Sequence, residues 1–128
     1  MSYYFSKTLN ISFEDAILRV TDELKKEGFG ILTEIDVRAT LKKKLNEDFR
    51  PYLILGACNP PFAFKALKAE DKIGLMLPCN VVIQQRTSGE IEVSTIDPLS
   101  SMQAIYNPKL EEIARTIRDK MKKVVDSL

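Results

Sequence analysis

Two stretches of the chain place apolar residues at helical spacing, and five others alternate or run continuously apolar. Phe13, Ala16, Ile17, Val20 and Leu24 share one helical face, with Ser12 set as an N-cap, Asp15 at the third helical position and Gly28 as a stop. The longer stripe is Leu110, Ile113, Ala114, Ile117, Met121, Val124, Val125 and Leu128, which predicts a helix from about Pro108 onward, lying across a sheet. Strands are predicted at Tyr3 to Leu9, at Phe29 to Ile35 and at "YLILGA", the last a continuous apolar run suited to a central strand buried on both faces. Between them Asp36 can cap a short basic helix, "VRATLKKKL", and Asn59 with Pro60 supplies an N-cap and a first-position proline for "PPFAFKALKAED". "IGLMLPCNVVIQQR" reads as a strand interrupted near Pro78, joined through "TSGE" to "IEVSTID" as a hairpin. A looser segment, "DPLSSMQAIYNP", is suited to a flap. A sheet that ends in a hairpin is not purely parallel, so the class is α+β.

Composition narrows the function classes. With 128 residues and 45% hydrophobic content the chain reads as a single domain, 1–128. Nineteen basic residues against eighteen acidic ones leave a net charge of +1, so no overall field favours nucleic acid, an anionic membrane or an acidic substrate. The opening residues lack the pattern of a signal peptide and no apolar run approaches a membrane span, which predicts a cytoplasmic protein without membrane attachment. There is no histidine, which removes imidazole bases and the commonest zinc ligand. Proton transfer or nucleophilic attack is left to Cys, Asp, Glu, Lys and Tyr.

The two cysteines both precede an asparagine, in "GACNPPF" and "LPCN". Cys58 has a structural reading, as a small apolar residue ending a buried strand. It also has a functional one, because unpaired N–H groups and the dipole at a helix start stabilise a thiolate. Cys79 sits where Pro78 and Asn80 break an apolar run, either as a buried residue at a kink or as a side chain aimed into a site by a bulge. Asn59 is accounted for as a helix cap; Asn80 is not. Two cysteines without histidine complete no zinc site within one chain, so no metal is assigned.

These motifs carry a resemblance. "YLILGACNPPFAFKAL" followed by "IGLMLPCNVVI", with "GFGILTEIDVRATLKKKL" before and Asp97-Pro98 after, closely resembles the family catalogued as domain of unknown function 302, over nearly the whole chain. The matching positions are Asp36, Gly56, Cys58, Asn59, Pro60, Pro78, Cys79, Asn80, Asp97 and Pro98. The resemblance implies a five-stranded antiparallel or mixed sheet with helices on one face, similar to the TATA-binding-protein-like fold, and a homodimer. It implies no activity and no cofactor.

Three functions follow. The first is a small-molecule site where the Cys58 strand end, the helix start and the Cys79 kink converge. There Cys58 and Cys79 are the candidate catalytic thiols, Asn59 and Asn80 orient a ligand, and Asp36 or Asp97 acts as acid or base. Each aspartate also reads as a cap or turn residue. The second is a structural module acting as a homodimer without catalysis. The third, nucleic-acid binding through Arg38, Lys42, Lys43, Lys44 and Arg50 with the basic residues of the last helix, is set aside because Glu111, Glu112, Asp119 and Asp126 interleave with the second cluster.

Overall fold

In a computed structural model the described residues are 2–128, and the chain builds one five-stranded sheet. Strand β1 (Tyr4–Leu9) leads to helix α1 (Phe13–Lys26), strand β2 (Gly30–Asp36) to helix α2 (Val37–Leu45), and strand β3 (Tyr52–Cys58) to helix α3 (Pro60–Ala69). Strands β4 (Cys79–Gln85) and β5 (Ile91–Ile96), the short helix α4 (Pro98–Ser101) and the long helix α5 (Pro108–Asp126) complete it. The sheet order is β1-β5-β4-β3-β2 and every neighbour is antiparallel. The fold is therefore α+β, with β4 at the centre and β3 beside it.

Alternation along the strands decides which residues meet the helices. Leu55, Val81, Ile83, Ile91 and Val93 point to the covered face and join Val20 and Leu24 of α1 with Met121 and Val124 of α5 in the main core. Each fully buried aliphatic side chain there contributes about 1.5–3 kcal/mol relative to exposure. The opposite face carries Tyr4, Tyr52, Val82, Gln84, Glu92, Ser94 and Ile96 around an open hollow. Helix α2 buries none of its residues.

The helix ends show the local chemistry. The Asp15 N–H donates to Oγ of Ser12 at 3.0 Å, as the sequence predicts. At the other end of α1 Gly28 adopts φ +87°, the Phe29 N–H closes back on the Leu24 carbonyl at 2.9 Å, and the chain turns sharply into β2. Helix α5 starts at Asn107, whose Oδ1 accepts from the N–H groups of Lys109 and Leu110 at 3.1 and 3.3 Å while its Nδ2 donates to the Ala69 carbonyl at 2.8 Å. One side chain thus caps α5 and ties down the end of α3. Asn107→Ala is expected to lower stability by about 1–2 kcal/mol in denaturant unfolding, through the lost cap and the orphaned carbonyl.

One predicted element differs. Residues Asp71–Met76 form a 3-10 turn instead of the first half of a strand. The reason is pairing: β3 meets β4 only as far as Ala57 opposite Cys79, so residues before Cys79 have no strand beside them. The run is apolar because Ile73 is fully buried in a second cluster with Ala66, Met102, Leu110 and Ala114, and a short apolar run does not by itself distinguish strand from helix. The segment predicted as a flap begins with α4, whose Pro98 is buried, and continues to Met102, 8% exposed.

Candidate functional site

A cavity of about 350 Å3 opens where the ends of β3 and β4 meet α3, α4 and α5. Its floor is Ala57 and Cys79, direct cross-strand partners. Its walls include Phe29, Phe62, Met102 and Ile117, with the small residues Ala63 and Ala66 on α3 and Ala114 on α5. Cys58, Asn59, Leu77 and Pro78 line it too. No Lys, Arg, Asp or Glu does.

Of the candidate residues from the sequence, the structure brings Cys58, Asn59 and Cys79 to this cavity and leaves three outside its lining. Asp36, at the far end of β2, accepts the Ala39 N–H at 2.9 Å and borders a separate hollow with Glu34 and Arg38. Asp97 lies next to the lining residue Pro98, but its Oδ1 accepts the Leu99 N–H at 3.0 Å and caps α4. Asn80 is exposed on the open face of the sheet, since consecutive strand residues point opposite ways and Cys79 already faces the cavity.

The environment of the thiols runs opposite to the expectation from a helix start. Both cysteines are free, Cys79 buried and Cys58 half-buried. Burial pushes the Cys58 thiol up from 9.0, and burial followed by the neighbouring Cys58 pushes Cys79 up to about 11. Pro60 and Pro61, the first two helical residues of α3, carry no N–H that would oppose this burial by stabilising a thiolate. For Cys79 the linkage has a definite sign. Its folded pKa lies above that of the unfolded chain, so the stabilisation is present below about pH 9 and is lost as pH rises toward 11. Alkaline denaturation is expected to cost about 2–3 kcal/mol over that window. In Cys79→Ala that part of the pH dependence should be absent, as measured by urea midpoints at successive pH values.

Asn59 also departs from its sequence reading. It occupies the N-cap position of α3 but makes no side-chain cap bond. Its Nδ2 instead donates to the Glu27 carbonyl at 3.1 Å, satisfying the C-terminus of α1, and approaches Gly28 closely. The lining residues Phe29, Ala63, Ala66 and Ala114 were not legible as site residues. Each reads in sequence as ordinary core, and only the small size of the three alanines hints at a gap.

Among the described residues no group of three or more Cys, Asp and Glu side chains is placed to hold a metal ion, and no helix is long and apolar enough to cross a membrane. Three of the six basic residues of α5 are paired: Arg115 with Glu111 at 3.1 Å, Arg118 with Asp119 at 3.3 Å, and Lys123 with Glu27 at 3.4 Å.

The fold and site together define a class: an α+β protein with a five-stranded antiparallel sheet and a thiol-lined apolar cavity at one sheet end. No curated protein matches the chain. A crystal structure of an uncharacterized conserved protein DUF302 from Bacillus stearothermophilus superposes with a TM-score of 0.91 at 29% identity, covering 98% of each chain. The sequence profile of Domain of unknown function DUF302 matches residues 5–128, and this chain belongs to that family.

Proposed function

We propose that the protein binds a small apolar molecule in the cavity between the β3–α3 turn, α4 and α5, without nucleophilic chemistry at the thiols. The observation that carries this reading is the cavity itself: about 350 Å3, walled by aliphatic and aromatic side chains with one amide and two thiols. Binding sites for small ligands have this size and composition, roughly 300–1,000 Å3 and mostly apolar with few polar groups. Neither an acid nor a base lines it, and both thiols are shifted toward their protonated form. Cys58 and Cys79 are then lining residues, Asn59 is the polar contact, and Asp36, Asp97 and Asn80 serve local structure or another surface. The test is a titration with naphthalene followed by amide NMR. Saturable shifts confined to the lining of the cavity are expected; no saturable binding would rule the reading out.

A second reading concerns assembly. The face of the sheet away from the helices leaves Tyr4 44% and Ile35 48% exposed, beside Ile54, Val82 and Ile96. This uncovered, partly apolar surface supports the homodimer that the family resemblance implies. Sedimentation equilibrium should show a dimer, and Val82→Lys should shift it to monomer; a native monomer at high concentration would remove this reading.

A further inference from the structure

We propose that the ligand of this cavity is neutral and carries one hydrogen-bond donor, a hydroxyl or an amide N–H, that docks on Oδ1 of Asn59. The inference rests on the binding role just proposed and names the class of molecule bound.

Asn59 is 7% exposed and lines the cavity. An asparagine at an N-cap normally spends its Oδ1 on the N–H of the second or third helical residue. Here the second is Pro61, which has none, and no bond forms to the third, Phe62. The amide orientation is fixed by its other end: the Glu27 carbonyl only accepts, so the group 3.1 Å from it is Nδ2. Oδ1 is therefore turned away from α1 and makes no hydrogen bond. The oxygen is not among the buried unpartnered side-chain atoms, so it stays within reach of water, and a donor on a ligand would take the place of that water.

Charge excludes the other classes. No cation lines the cavity, Lys65 and Lys120 standing over the ring of Phe62 without being part of its lining, and the prolines at the first two positions of α3 leave Phe62 as the first of its residues with an N–H to offer an anion. No carboxylate lines it to hold a cation. A neutral apolar body with one donor fits what remains.

The test compares three probes on the native protein by NMR titration: naphthalene, 1-naphthol and 1-naphthoate. Desolvating a hydroxyl in an apolar pocket with no acceptor would weaken naphthol about tenfold relative to naphthalene. With Asn59 as acceptor, naphthol is expected to bind at least as tightly as naphthalene, and naphthoate more than about tenfold more weakly than either. In Asn59→Leu, naphthol should lose about tenfold while naphthalene stays within about twofold. Naphthol binding tenfold more weakly than naphthalene to the native protein overturns this inference and leaves the apolar site standing. If no probe binds, both fall. Should Asn59→Leu fail to fold for want of its bond to Glu27, the native comparison alone decides.

Discussion

Gly56→Ala is expected to destabilise the protein by about 3 kcal/mol or more, at the upper end of what overpacking costs. A Cβ built on Gly56 would stand 2.6 Å from Cγ of Pro78 and closer still to Oγ1 of Thr33. Neither neighbour yields easily, because the proline ring is rigid and Thr33 is β-branched beside the irregularity between Ile31 and Thr33 in β2. Gly56 lets β2, β3 and the Pro78 turn converge, and that convergence puts Cys79 opposite Ala57 on the cavity floor. Thr33→Ala in the same chain should recover part of the loss, since it removes one of the two clashes and leaves Pro78. Denaturant unfolding of the single and double variants checks this. A cost for Gly56→Ala below about 0.5 kcal/mol, the range of an ordinary surface change, would mean that the strands do not approach as described.

Filling the cavity should separate binding from stability. Ala63 is half-buried on α3 and lines the space. In Ala63→Phe the affinity for naphthalene is expected to fall at least about tenfold, or 1.4 kcal/mol. The unfolding midpoint should hold or rise, because the new ring buries apolar area in space already open. Calorimetric titration and thermal unfolding of the same preparation measure both. Unchanged affinity in a folded Ala63→Phe would place the ligand elsewhere.

Much of the fold was legible because its signals are local. The stripe on α5, the Ser12 cap and Gly28 stop on α1, and the β4–β5 hairpin all depend on residues within a turn or two of one another. The 3-10 turn at Asp71–Met76 was not, because whether an apolar run becomes a strand depends on a partner that β3 is too short to provide. The site divides the same way. That Cys79 and Asn80 face opposite sides of the sheet follows from strand alternation alone and was available in the sequence. So was the loss of donors at Pro60 and Pro61, which takes one of the two N–H groups that could have bonded an Asn59 cap and both of those nearest Cys58. The cavity itself was not available: Ala63 and Ala66 meet Ala114 only after the whole chain has folded. The hydrogen bond from Asn59 to Glu27 likewise joins two turns 32 residues apart.

The most direct measurement on the binding role is the alkylation rate of Cys58 by iodoacetamide, read by mass spectrometry at fixed pH with increasing naphthalene. Cys58 lines the cavity and is half-exposed, whereas Cys79 is buried beneath it. The expected result is a Cys58 rate that falls saturably with naphthalene, in step with occupancy, while Cys79 stays unmodified in the folded protein. A Cys58 rate unchanged at saturating naphthalene would contradict a ligand seated against the Cys58–Asn59 turn.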